Sequence, residues 1–136
     1  MITTYPKFSK LEIQHQNLVN SVTKRFAPYS DFNFTSLFCW NTDNSTQIAD
    51  LHNNLIIKLP DYITGEPVFS ILGINQIDKS ISEFMSDVNE LKLVPETVVE
   101  HMDNKHLLLY EEDKDNFDYV FLLSDHAMLP NAGFKE

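Results

Sequence analysis

Glycine is scarce in this chain, with only Gly65, Gly73 and Gly133 among 136 residues. Few positions can therefore hold a positive φ at low steric cost, and no glycine-rich string exists from which to build a phosphate cradle before a helix. Asparagine is expected to take several of the turns instead. Cysteine is limited to Cys39, which leaves no internal disulfide and suits a reducing compartment. Lysine and arginine number ten against twenty acidic residues, a formal net charge of -10. Nucleic-acid affinity rests on neutralising phosphates with basic side chains. Direct binding of tRNA or DNA is accordingly not expected, nor is docking on an anionic membrane surface. No run approaches the ~20 apolar residues of a membrane span. The first residues lack the apolar core of a signal peptide, and without one the sequons at Asn33 and Asn44 are read as chance matches. The expected location is cytoplasmic.

What is present is an ordinary globular composition, 43% hydrophobic and 22% charged. The length fits a single domain, residues 1–136, able to bury roughly two-thirds of its unfolded surface. Residues 5–13 alternate roughly and predict an opening strand. Leu18, Val22 and Phe26 stand four apart and predict a helix over 14–26, stopped by Pro28. An aromatic block follows, in which Asn33 or Thr35 is placed to cap a short helix burying Leu37, Phe38 and Trp40. Residues 46–51 and 54–59 read as two strands joined at His52-Asn53, an antiparallel hairpin with asparagine in the turn. A strand over 68–72 comes after the Gly65 turn.

Ile77, Ile81, Phe84, Met85, Val88 and Leu91 form an apolar stripe of helical period, with Asn75 or Asp78 as cap. A short strand over 91–94, a helix over 95–102 opened by Pro95, and strands over 106–110 and 118–123 complete the reading. The order β-α-α-β-β-β-α-β-α-β-β predicts an α/β (α+β) fold, with a mixed sheet and helices packed over it. Phe32, Phe34, Leu37, Trp40, Phe84 and Phe121 are its expected buried core residues.

Few residues carry chemistry. Zinc motifs with paired cysteines or His-Glu-x-x-His are absent. His101 and His106 are five apart across a predicted turn, while His15, His52 and His126 stand alone; all are read as surface or packing residues. The acidic stretch from Asp113 lacks glycine at the sixth position of a calcium loop, where Asp118 stands, and glutamate at the twelfth, where Ser124 stands. Cys39, between Phe38 and Trp40, is read as a core thiol rather than a nucleophile. No cofactor and no metal is expected.

Residues 111–119 read Glu-Glu-Asp-Lys-Asp-Asn-Phe-Asp-Tyr and run straight into the apolar Val120, Phe121, Leu122 and Leu123. With residues 28–37 and Trp40, 58–67 and 91–96, this stretch resembles the bacterial family related to the C-terminal domain of phosphatidylglycerol lysyltransferase. That family is built from two tandem GNAT-like (acyl-CoA N-acyltransferase fold) halves, and the likeness, spanning residues 5–135, is to the first half. It implies a GNAT-like half-domain with a mostly antiparallel sheet. It also implies a non-catalytic role in an aminoacyl/acyltransferase-like protein, as scaffold and one wall of a substrate cleft. The partner is a second GNAT-like half, normally on the same polypeptide.

No catalytic, cofactor-binding or metal residue carries over from the family. The candidate interface is Asp113, Asp115, Asn116, Asp118 and Tyr119, an acidic loop suited to a basic docking surface. The alternative is a free-standing, non-enzymatic binding module that covers the same surface as a homodimer. A complete acetyltransferase is disfavoured, because the Arg/Gln-x-x-Gly-x-Gly/Ala pyrophosphate loop of GNAT enzymes is missing.

Overall fold

Apolar residues of both parities in the central strands call for a sheet covered on both faces. The computed structural model describes residues 2–26, 29–41, 43–61 and 63–103, and among them it contains such a sheet. Four strands form an antiparallel meander in chain order: β1 (Ser9–Lys10), β2 (Gln47–Leu51), β3 (Asn54–Pro60) and β4 (Pro67–Leu72). Ile48 pairs with Ile57, which in turn faces Ser70; Ala49, Ile56 and Ile71 make the adjacent row. Because side chains alternate across a strand, Leu55, Ile57, Leu59, Val68 and Leu72 point to one face. There they meet Val19 of α1 (Gln16–Thr23) and Phe34 and Leu37 of α2 (Phe34–Cys39). Ala49, Leu51, Ile56 and Ile71 point to the other. Ile77, Ile81 and Phe84 of α3 (Ile77–Phe84) and Val98 of α4 (Glu96–Glu100) cover them. The result is a mixed α/β fold with helices on both sides of an antiparallel sheet.

The β2–β3 turn is the two-residue loop read from the sequence. His52 and Asn53 have φ of 52° and 62°, the pair of positive values whose twist matches the flanking strands. Asn33 caps α2, its Oδ1 accepting from the Ser36 amide at 2.9 Å. The loop into β4 is an Asx turn: the Asp61 carboxylate accepts from the amides of Ile63 and Thr64. Those two amide bonds hold its carboxyl below the usual range.

Several expected elements are shorter or placed otherwise. The opening strand is two residues long. Pro6 has no N–H to offer a ladder, and the chain turns back so that Thr3 and Tyr5 bond to Asp50 instead. A 3-10 turn, Ile13–His15, precedes α1.

The long helix expected over 77–91 stops at Phe84. The Ser86 hydroxyl donates to the Glu83 carbonyl at 2.7 Å, and Ser86, Asp87 and Asn89 are poor helix formers. Met85, Val88 and Leu91 still pack on the core, so the apolar stripe records burial correctly and helix length wrongly. Neither expected cap serves α3. Gln76 occupies the N-cap in the left-handed region, while the Asn75 side chain donates to the Asn53 carbonyl.

Residues 91–94 make no strand. The Lys92 amide donates to the Phe69 carbonyl at 2.8 Å, but Leu93 then turns to a φ of 56°. Pro95 is the N-cap of α4 rather than its first residue. The expected strands over 106–110 and 118–123, and Phe121, lie outside the described residues.

The aromatic block also needs correction. Phe32, Phe34, Leu37 and Phe84 are buried as expected, whereas Trp40 is 68% exposed and Cys39 is exposed. Helix α2 has fewer than two turns. Its buried stripe holds Phe34 and Leu37; Phe38 stacks on Phe34 one turn later but stays exposed, and Trp40 is the C-cap residue.

Candidate functional site

Asp113, Asp115, Asn116, Asp118 and Tyr119 all lie outside the described residues. Two places next to β4 combine polar side chains with concave shape or tight packing. One is the junction from β4 into α3; the other is the cleft between β4 and residues 87–92.

At the junction, Asn54 opens β3 at the base of the hairpin and is almost completely buried. Its amide nitrogen donates to the Asn75 carbonyl at 2.7 Å and to Ser80 Oγ at 2.9 Å. Its carbonyl oxygen accepts from the Asn75 amide at 2.9 Å. This carboxamide is therefore fully used, as a buried polar group must be.

The packing also explains the glycine. Gly73 has φ of +138°, and a Cβ there would stand 2.2 Å from Asn54 Oδ1. The single glycine before α3 makes room for the asparagine, not for a phosphate. The first turn of α3 further carries its own carboxylate, Asp78, which also accepts from the Asp103 amide. An acidic side chain there complements the positive end of the helix. An incoming anion would meet an amide already taken and a charge of its own sign.

The same cluster strings together a hydroxyl, an imidazole and a carboxylate. Ser80 Oγ lies 3.1 Å from His52 Nδ1, and His52 Nε2 lies 3.4 Å from Glu83 Oε2. Such a series is the arrangement that activates a serine nucleophile. Here it joins the hairpin turn to α3 instead. Ser80 has no exposed surface, and its oxygen also engages Asn54 and Asn75, so no substrate carbonyl can reach it. Read from sequence, His52 stands alone. Its partners are 28 and 31 residues later, and only the fold of α3 across the sheet joins them. The one signal in the sequence was the hairpin itself, which puts His52 at a defined corner.

The cleft has a volume of about 350 Å³ and is lined by Pro67, Val68, Phe69, Asp87, Val88, Asn89, Glu90 and Lys92. Its floor is apolar and its rim carries two carboxylates and one ammonium. Lys92 Nζ lies 3.7 Å from Glu90 Oε2. Phe69 is held by Phe84 and Phe8, and Lys58 Nζ sits 5.7 Å above its ring, in cation–π range.

Beside the cleft, the Tyr5 hydroxyl donates to Asp87 Oδ2 at 2.5 Å and ties the N-terminal segment to the rim. Burial, then the bond to Asp87 and the charges of Asp87 and Glu83, push the Tyr5 phenol well above its ordinary value. The sign follows from linkage. Above about pH 10 the unfolded chain ionises its tyrosines while folded Tyr5 keeps its proton, so stability falls as pH rises. Urea midpoints measured from neutral to alkaline pH are expected to fall less steeply above that point for Tyr5→Phe than for the parent chain. Parallel curves would show that the hydroxyl is not held by Asp87.

Among the described residues no three His, Cys, Asp or Glu side chains converge on a point that could hold a metal ion. Nor, among them, is any helix long and apolar enough to cross a membrane. Comparison with known proteins returns no match to a family model, to a curated protein or to a solved structure.

Proposed function

We propose that this chain is the non-catalytic first half of an aminoacyl/acyltransferase-like protein with the GNAT-like fold, supplying scaffold and one wall of a substrate cleft. The reading rests first on the likeness of residues 28–37, 58–67, 91–96 and 111–119 to the lysyltransferase-related family. The element order supports it: a strand, two helices, a three-stranded meander and a helix, in one antiparallel sheet. The observation that carries the non-catalytic part is the plugged β4–α3 junction. Asn54 occupies the space beside Gly73 and takes the Asn75 amide, where an acyl-CoA pyrophosphate would need free backbone donors. The carboxylates of Asp87 and Glu90 on the cleft rim add repulsion against the same anion. Scaffold and wall remain as the roles this geometry serves.

Two measurements test the proposal. Isothermal titration of the chain with acetyl-CoA is expected to give no heat of binding; a dissociation constant in the low micromolar range would overturn the non-catalytic reading. For the partner, a second GNAT-like half from a protein of the resembled family is supplied as a separate chain. Binding is expected to be tighter to the parent than to Asp113→Asn/Asp115→Asn. The difference should shrink as salt rises, because opposite charges are screened over a Debye length of about 8–10 Å at 0.10–0.15 M. Equal affinities at every salt concentration would remove the acidic loop from the interface. Association of the chain with itself in place of the second half would favour the homodimeric binding module.

A further inference from the structure

We draw no further inference here: the strongest candidate, the cleft between β4 and residues 87–92 with its Asp87 and Glu90 carboxylates, belongs to the site already described, and no buried unpartnered group in it points to a ligand.

Discussion

Gly73→Ala is expected to lower stability by roughly 2–6 kcal/mol, adding about 1–3 kcal/mol of backbone strain to the similar cost of breaking buried hydrogen bonds. The backbone at Gly73 has φ of +138°, where L side chains are strained, and the new methyl would overlap Asn54 Oδ1 at 2.2 Å. The Asn54 side chain cannot yield freely, since it is almost completely buried and holds Asn75 and Ser80 through three bonds. Moving it would leave a buried carbonyl, a buried amide and a hydroxyl short of partners. The two effects can be separated by a double-mutant cycle. Asn54→Ala alone is destabilising, but in that background Gly73→Ala should cost less than in the parent, because the overlap with the carboxamide is gone and the strain remains with a 3.0 Å approach to the Cβ of residue 54. Urea unfolding of the four chains supplies the measurement. If Gly73→Ala costs the same in both backgrounds, Asn54 is not what the glycine accommodates, and the junction is not plugged by its side chain.

Phe84→Ala is expected to cost roughly 3–5 kcal/mol, the usual range for removing a buried phenyl ring. That is a large share of the ~5–15 kcal/mol that holds a domain folded. Phe84 has no exposed surface and lies at the centre of an aromatic set. Its ring centroid is 4.9 Å from that of Tyr5 and 5.8 Å from that of Phe69, both edge to face. Such pairs contribute about 0.5–1.5 kcal/mol beyond the area they bury. The same residue joins the end of α3 to β4 and to the N-terminal segment, so the cleft wall should loosen with it. Trp40→Ala is the contrasting variant. With 68% of its surface exposed, it is expected to shift stability far less, near the ~0.5 kcal/mol typical of surface positions. A fall in the unfolding midpoint as large for Trp40→Ala as for Phe84→Ala would place the indole in the core after all.

Trp40 also shows where one-dimensional reading fails. Its aromatic neighbours invite a buried block, but α2 ends at Cys39, and Trp40 is the exposed C-cap residue beyond the stripe of Phe34 and Leu37. The stripe from Ile77 to Leu91 fails in the opposite way. Its spacing identifies the residues that meet the sheet, and they do, yet the helix ends at Phe84, where the Ser86 hydroxyl takes the Glu83 carbonyl. The acidic stretch over residues 111–119 stands out most in the sequence. The junction cluster was invisible there.

Local features are legible in the order of the residues because their causes are local. The His52-Asn53 turn needs two residues with positive φ between apolar strands. The cap of α2 needs a short polar side chain at the helix start, which Asn33 and Thr35 both offered and Asn33 supplies. The strands β3 and β4 need only short apolar runs between turn residues. These features were enough for an antiparallel hairpin, a third strand and helices placed over a sheet. The tertiary structure alone decided what sits beside what. The meeting of His52 with Ser80 and Glu83, and of Asn54 with Gly73 and Asn75, depends on α3 crossing back over the sheet. So does the placing of Tyr5 against Asp87, 82 residues later. A contact between distant segments is set by the packing of whole faces, and no short window of sequence carries that information.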